Sequence, residues 1–151
     1  MNISYKLASA VELDELIDLV GEYHIFESLS SSRDKRRTSL IPLLDPDKDY
    51  GFILVAFCDS QLVGYVAICY GYTIEFGGRD AFVDEFYVTE KMRNKGIGFS
   101  LLEKAKIEAL RNSINVLHLE VAVENVTAKS FYKKNGFLAR ENFHLMSCRL
   151  R

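Results

Sequence analysis

The sequence lacks several features that would each indicate a particular class of protein. It contains three cysteines, Cys58, Cys69 and Cys148, an odd number without Cys-x-x-Cys spacing, so we expect buried thiols. No apolar run approaches the ~20 residues of a membrane-spanning helix, and no signal peptide opens the chain. These absences predict a cytoplasmic protein that neither crosses nor binds a membrane.

A strong charge of either sign is also missing. The chain carries 19 Lys and Arg residues against 21 Asp and Glu residues, with a net charge of -2, so no basic field would attract nucleic acid. The densest basic run, residues 33–37, is interrupted by Asp34 and is typical of a solvated helix face. We expect no metal centre, because His24, His118 and His144 are isolated by their spacing.

The remaining composition fits one α/β domain that covers residues 1–151. Hydrophobic residues make up 48% of the chain and charged residues 26%, as in ordinary soluble domains. A chain of this length buries roughly 70% of its unfolded surface, enough for a core of its own. The pattern of apolar residues predicts the order β-α-α-β-β-β-α-β-α-β, without repeats or linkers.

Local signals set the predicted boundaries of these elements. Residues 9–12 form a capping box that opens a helix with an apolar stripe, and residues 30–44 predict a second helix that ends before Pro46. A short connection at residues 59–61 predicts a hairpin. Strands are predicted at residues 3–7, 50–57, 62–70, 80–88, 116–123 and 137–149, and further helices at residues 98–111 and 126–134.

A glycine segment, Gly96-Ile97-Gly98, stands between the predicted strand 82–88 and the mouth of a helix. Such a turn directs several backbone N–H groups and the positive end of a helix dipole at one spot, which suits a phosphate. Glycine allows close approach to the main chain, and Arg93 and Lys95 add positive charge nearby. In a purely structural role, the same glycines would only permit a tight turn.

Two common phosphate motifs do not fit this segment. A P-loop requires Gly-Lys followed by Ser or Thr, whereas Lys95 precedes Gly96 here and no hydroxyl residue follows. A Rossmann fingerprint requires a third glycine where this chain has Leu101, and its glycines follow the strand directly. The pattern that remains is Arg-x-x-Gly-x-Gly.

Three segments in order, residues 83–88, 93–98 and 125–137, carry a resemblance that covers nearly the whole chain. They resemble the GNAT superfamily of acyl-CoA N-acyltransferases, and among its branches the chain is most similar to the diamine and polyamine acetyltransferases. The resemblance implies an α/β fold with a mixed central sheet of six to seven strands, splayed in the middle and flanked by about four helices. It also implies acetyl-CoA as the co-substrate, and no metal.

The resemblance assigns cofactor contacts to particular residues. The pantetheine arm would lie between the splayed strands and bind main-chain groups of Phe86 and Val88, on either side of Tyr87. Asn125 would contact the cofactor through its side chain, would cap the helix that follows, or would do both. The pyrophosphate would sit on the N–H groups of the motif, which consists of Arg93, Asn94, Lys95, Gly96, Ile97 and Gly98.

Catalytic roles also follow from the resemblance. Tyr132 matches a tyrosine that stands near the sulfur of acetyl-CoA and protonates the departing thiolate; its structural alternative is a core aromatic beside Phe131. The acceptor amine is protonated at neutral pH, so a base must take its proton. Asp84 and Glu85 are the candidates, and neighbours in a strand point to opposite faces unless a bulge intervenes. We favour Glu85, directly or through water, over Asp84, and either carboxylate would alternatively be only solvated or paired.

The predicted reaction is acetyl transfer from acetyl-CoA to a primary amine of a small, cationic, polyamine-like substrate, by direct attack in a ternary complex. Glu22, Glu27 and Asp84 would line its site. The alternatives are acetylation of an aminoglycoside, an amino acid or a protein N-terminus, and a non-catalytic acyl-CoA-binding sensor. Members of the family often dimerise, some through their final strands, and the apolar segment 137–150 would permit a homodimer.

Overall fold

The first helix begins at the predicted capping box. The Ser9 hydroxyl accepts a hydrogen bond from the Val11 N–H, and the Glu12 carboxylate accepts one from the Ser9 N–H at 2.8 Å. A 3₁₀ turn, Ala10–Glu12, then leads into helix α1, Leu13–Phe26. The structure, a computed structural model, describes residues 1–151. The first helix begins where the sequence predicts it, because capping depends only on neighbouring residues.

Helices α1 and α2 cover one face of a sheet, and α3 covers the other. Helix α2, Arg33–Leu44, is capped by Ser32 and ends before Asp45, close to the predicted boundaries. Helix α3, Ile97–Arg111, packs so closely that a Cβ atom at Gly64 would lie 3.2 Å from the Leu101 side chain. The core under α1 and α2 includes Leu16, Ile17, Val20, Leu40, Leu44, Ile53, Val55, Tyr65, Ala67 and Tyr87.

The sheet contains five strands in chain order: β1 Ile3–Leu7, β2 Gly51–Cys58, β3 Gln61–Thr73, β4 Gly78–Val88 and β5 Val116–His118. Strands β1 to β4 pair antiparallel, and β5 pairs parallel to β4. The hairpin between β2 and β3 turns on Asp59 and Ser60, which both have positive φ (48° and 85°). This conformation matches the twist of the flanking strands in a two-residue hairpin.

Strands β4 and β5 diverge soon after they meet. Their pairing runs only from Asp80 opposite Val116 to Phe82 opposite His118, while β4 continues to Val88. Beyond Phe82, no strand therefore pairs with this edge of β4. The predicted strand 116–123 is too long, because β5 ends at His118, where it leaves its neighbour. Alternating apolar residues make a strand only where an adjacent strand supplies hydrogen bonds.

The chain divides into two compact units, Met1–Leu119 and Glu120–Arg151. The second unit contains helix α4, Val126–Lys134, at its predicted bounds, and Gly136 follows it with a left-handed φ of 87°. The predicted final strand at residues 137–149 is wrong, since that segment forms no strand and is exposed from residue 138 onwards. Alternating apolar residues do not ensure that a neighbouring strand is available for pairing.

The overall architecture agrees with the expected fold, except for the number of strands. The sheet is mixed and the chain contains four α-helices as expected, but the sheet has five strands instead of six to seven. The loss of the final strand accounts for the difference from six. None of the helices combines the length and the apolar character needed to cross a bilayer.

Candidate active site

The glycine segment forms the N-terminus of helix α3. Gly96 precedes the helix with a φ of 77°, and Asn94 is also left-handed at 59°. No side chain caps the helix, and Ser100 is the first residue whose N–H bonds back, to the Gly96 carbonyl at 3.0 Å. The N–H groups just ahead of Ser100 have no partner within a helix. They form a row of donors that fits an anionic pyrophosphate.

The cationic side chains of this segment bond to the protein around it. Arg93 donates its Nε–H to the Val88 carbonyl at 2.9 Å, and its guanidinium lies 4.6 Å from the centre of the Phe26 ring. Lys95 donates to the Lys91 carbonyl at 3.0 Å. Both cations therefore stay near the turn but bond to carbonyls of the protein itself.

The open edge of β4 presents alternate main-chain groups to the same side. The main-chain N–H of Thr89 bonds to the Val63 carbonyl of β3 at 2.9 Å. Tyr87 lies two residues earlier, so its main-chain N–H and C=O groups also point toward β3. In an antiparallel ladder, the residues between such positions point their N–H and C=O groups the other way. Phe86 and Val88 therefore face the edge that β5 has left. An extended ligand could bind there like an added strand, as the pantetheine prediction requires.

A β-bulge brings the two candidate bases onto one face of the sheet. Ala67 pairs with Glu85 and Ile68 with Val83, which leaves Asp84 as the extra residue of β4. Without the bulge, alternation would place Asp84 and Glu85 on opposite faces. The negative charges of both carboxylates affect the thiol of Cys69 on the neighbouring strand. Burial and, secondarily, these two charges raise the pKa of the Cys69 thiol to about 12, so it stays protonated at neutral pH.

Two hydrogen-bond donors hold the Glu85 carboxylate. One oxygen lies 2.6 Å from Nε2 of His24, and the other accepts from the Tyr65 hydroxyl at 2.7 Å. Burial, and then the charge of Glu85, raise the pKa of Tyr65, which keeps its phenol protonated as a donor. The side chain of Glu85 is 20% exposed. The carboxylate is thus fixed in place but remains within reach of solvent or substrate.

Sequence reasoning missed both of these partners. His24 follows Val20 by four residues, so it continues the core-facing stripe of α1 with a polar group. Tyr65 alternates with apolar residues on the buried face of β3. Polar groups at core-facing positions are a signal of buried hydrogen bonding, but no local pattern connects either residue to Glu85.

The predicted substrate residues of the first helix do not gather at Glu85. Glu22 is exposed and precedes His24 by two positions, which separates the two side chains by about 200° around the helix axis. Glu27 is exposed at the end of α1, where its N–H bonds to the Tyr23 carbonyl at 2.9 Å. Of the three residues predicted to line the substrate site, Asp84 is the one on the same strand as Glu85.

Asn125 and Tyr132 belong to the second unit. Asn125 accepts a hydrogen bond from the Ala128 N–H at 3.0 Å, which confirms its role as a helix cap. The Tyr132 ring packs edge-on against Phe131 and Phe137, with centroids 5.4 Å and 5.7 Å away. Their predicted contacts with the cofactor remain predictions. No group of three or more His, Cys, Asp or Glu side chains is placed to hold a metal ion.

A model of the Acetyltransferase (GNAT) family matches residues 13–137. The chain belongs to this family. Its domain is therefore that of an acyl-CoA-dependent N-acetyltransferase, with acetyl-CoA as the acyl donor. The matched range includes both the glycine segment and helix α4.

The GNAT domain is similar to archaeal and human proteins. It is 35% identical over 130 residues to an uncharacterised N-acetyltransferase of Archaeoglobus fulgidus, covering 84% of this chain and 87% of that one. A Methanocaldococcus jannaschii N-acetyltransferase is 34% identical over 133 residues, 86% of this chain and 58% of its own length. The human spermidine/spermine N(1)-acetyltransferase-like protein 1 is 23% identical over 91% of this chain, which spans only 21% of that protein.

Solved structures share the fold of this GNAT domain. A probable acetyltransferase superposes with a TM-score of 0.84 at 23% identity, covering 100% of this chain and 99% of the other. A predicted acetyltransferase of Clostridium acetobutylicum, solved with acetyl-CoA, gives 0.81 at 17% identity, with 97% and 96% covered. The aminoglycoside 6'-N-acetyltransferase of Acinetobacter haemolyticus gives 0.78 at 21% identity, with both chains fully covered.

Gly96→Ala is expected to weaken acetyl-CoA binding by about tenfold, or about 1.4 kcal/mol. The left-handed φ of 77° costs a residue with a Cβ about 1–2 kcal/mol, and the new methyl would stand beside the N–H donors. Gly77 is a matched control, because it has a φ of 72° in the turn before β4 and open space around it, as Gly96 has. Calorimetric titration and thermal melting would measure both variants.

Gly96→Ala and Gly77→Ala should each lower the melting temperature by a few degrees. Gly77→Ala should leave acetyl-CoA affinity unchanged. Equal affinity losses in the two variants, or none in Gly96→Ala, would contradict the assignment of this turn to the pyrophosphate.

Proposed function

We propose that this acetyltransferase transfers the acetyl group of acetyl-CoA to a primary amine of a small, cationic, polyamine-like molecule in a ternary complex. The observation that carries this proposal is the bulge in β4, which places Asp84 and Glu85 together on one face beside the splayed edge. A pair of carboxylates favours a cationic acceptor over a neutral or anionic one.

The surroundings of the carboxylate pair support the same class of substrate. Phe82 pairs with Cys69 across the strands and is 40% exposed on the face that carries Glu85. An exposed aromatic ring next to carboxylates favours the alkyl chain and the ammonium groups of a linear amine. The similarity to the human spermidine/spermine N(1)-acetyltransferase-like protein 1 is consistent with such a substrate.

The chain's own groups would handle the two protons of the reaction. Acetyl-CoA supplies an activated acetyl group as a thioester, and its carbon–sulfur bond is exchanged for a carbon–nitrogen bond to the acceptor. Glu85 would take the proton of the acceptor ammonium, directly or through one water, with Asp84 drawing the cation to the site. Tyr132 would give its hydroxyl proton to the departing sulfur and would regain a proton from the second one that the nitrogen loses as the amide forms.

An aminoglycoside is the second candidate acceptor. Aminoglycosides carry several ammonium groups, so the same carboxylates would attract them, and aminoglycoside acetyltransferases are among the proteins that share this fold. A ring system is bulkier than a linear amine. Kinetic comparison therefore decides between the two candidates.

Release of free coenzyme A thiol would be followed with spermidine, putrescine, an aminoglycoside, amino acids and short peptides. We expect kcat/KM for the linear polyamines to exceed that for amino acids and peptides by at least about tenfold, which corresponds to one additional ion pair of about 1.4 kcal/mol. Raised salt should weaken this preference. A higher value for the aminoglycoside would select the second candidate.

Preference for amino acids or peptides would contradict the cationic substrate class. If no amine is acetylated while acetyl-CoA still raises the melting temperature, the chain would act instead as an acyl-CoA-binding sensor.

A further inference from the structure

A continuous chain of hydrogen bonds leads from a partly buried arginine to Glu85. Arg36 of α2 donates from Nη1 to the Ser31 hydroxyl at 3.2 Å, and that hydroxyl lies 2.5 Å from Nδ1 of His24. On the other side of the imidazole ring, Nε2 lies 2.6 Å from the Glu85 carboxylate. Tyr65 completes the chain from β3 at 2.7 Å.

One arrangement of hydrogens satisfies this chain with a neutral imidazole. A guanidinium only donates, so the Ser31 oxygen accepts from Arg36, and its own hydrogen can be donated to Nδ1 of His24. With Nδ1 as the acceptor, the ring hydrogen lies on Nε2. That hydrogen is donated to Glu85, whose second oxygen accepts from Tyr65. The hydrogens of Ser31, His24 and Tyr65 then each meet an acceptor, with a neutral imidazole and an ionised carboxylate.

Arg36 is itself held by several contacts, so the fold fixes the position of the first donor in this series of hydrogen bonds. Its Nε–H bonds to the Ile17 carbonyl of α1 and its Nη1 to the Ser31 carbonyl, both at 2.9 Å. The guanidinium lies against Gly21 in the middle of α1, where a Cβ atom would come within 3.1 Å of its Cζ. A glycine inside a helix costs stability, and here it leaves room for the arginine.

We propose that His24 is a positioning residue for acetyl transfer: Arg36 and Ser31 hold it in the Nε2–H tautomer, and with Tyr65 it fixes the Glu85 carboxylate toward the acceptor amine. A carboxylate offers about four lone-pair sites, and the two bonds leave the others for the proton of the acceptor. This inference rests on the proposed role of Glu85 as the base. His24 touches neither acetyl-CoA nor the acceptor, and it acts through Glu85.

Imidazole nitrogen NMR of the protein tests the tautomer without any turnover. The chain has three histidines, and His24→Gln identifies the His24 signals by their disappearance. We expect an Nε2–H tautomer in the unaltered protein and a mixture of tautomers in Ser31→Ala, because the hydroxyl no longer donates to Nδ1. An Nδ1–H tautomer, or rapid averaging, in the unaltered protein would overturn the assignment.

Kinetics with the best acceptor amine test the consequence. His24→Leu removes the donor at similar volume and should lower kcat about 10- to 100-fold, with an unchanged KM for acetyl-CoA, because Glu85 loses its fixed geometry. His24→Gln restores an N–H donor near the Nε2 position, so it should recover kcat to within about threefold of the unaltered enzyme. Melting temperature and acetyl-CoA affinity verify that both variants are folded.

Equal losses in the two variants, or a normal rate in His24→Leu, would overturn the positioning role. If Glu85→Gln also retains the normal rate, the proposed base is wrong. If Glu85→Gln loses activity while His24→Leu does not, only the inference about His24 fails.

Discussion

Replacement of Glu85 by glutamine is expected to lower kcat about 10²- to 10³-fold, with acetyl-CoA affinity unchanged. A general base typically contributes 10²–10⁴-fold, and the amide keeps the size of the side chain and can still accept from Tyr65, but it cannot take a proton. The hydrogen bonds of Glu85 go to His24 and Tyr65, so cofactor binding should not respond. Steady-state kinetics with a saturating polyamine and calorimetric titration of acetyl-CoA would measure the two quantities.

Asp84→Asn is the matched control for this prediction. It removes the neighbouring charge on the same face of the sheet and should raise KM for the amine more than it lowers kcat, because Asp84 is exposed to the solvent from which the cation arrives. A large decrease of kcat in Asp84→Asn with little decrease in Glu85→Gln would show that Asp84 is the base and that Glu85 attracts the cation.

Tyr132→Phe should lower kcat by about 10²-fold if its hydroxyl protonates the coenzyme A thiolate. The substitution keeps the ring, so the edge-on contacts with Phe131 and Phe137 remain and the stability of α4 should hardly change. Release of coenzyme A thiol would measure the rate, and thermal melting would measure the stability.

Tyr5→Phe serves as the control for this change, because Tyr5 is a partly buried tyrosine of β1, at the opposite edge of the sheet from β5. It should retain full activity. A Tyr132→Phe variant that loses stability but not rate would show that Tyr132 is a core aromatic residue without a chemical role.

Features that depend on neighbouring residues could be predicted closely. The capping box at Ser9, the helix Val126–Lys134 and the hairpin at Asp59 and Ser60 each follow from a few adjacent residues. The glycine segment before α3 belongs to the same group, because left-handed backbone and uncapped N–H groups are local properties.

Features that depend on a distant partner could not be predicted in this way. The strand predicted at residues 116–123 ends at His118, and the one predicted at 137–149 does not form, although both segments are rich in apolar residues. A strand exists only where another strand satisfies its backbone, and the sequence does not state where pairing stops.

The sequence by itself determined the family, the acyl donor and the position of the uncapped glycine turn before α3, because these follow from short motifs in order. Only the tertiary structure decided how the candidate base is arranged. The bulge that brings Asp84 beside Glu85 arises from the register of β3 on β4, and the bond from His24 to Glu85 joins residues 61 positions apart. Such contacts depend on how helices pack on a sheet, which local periodicity does not specify.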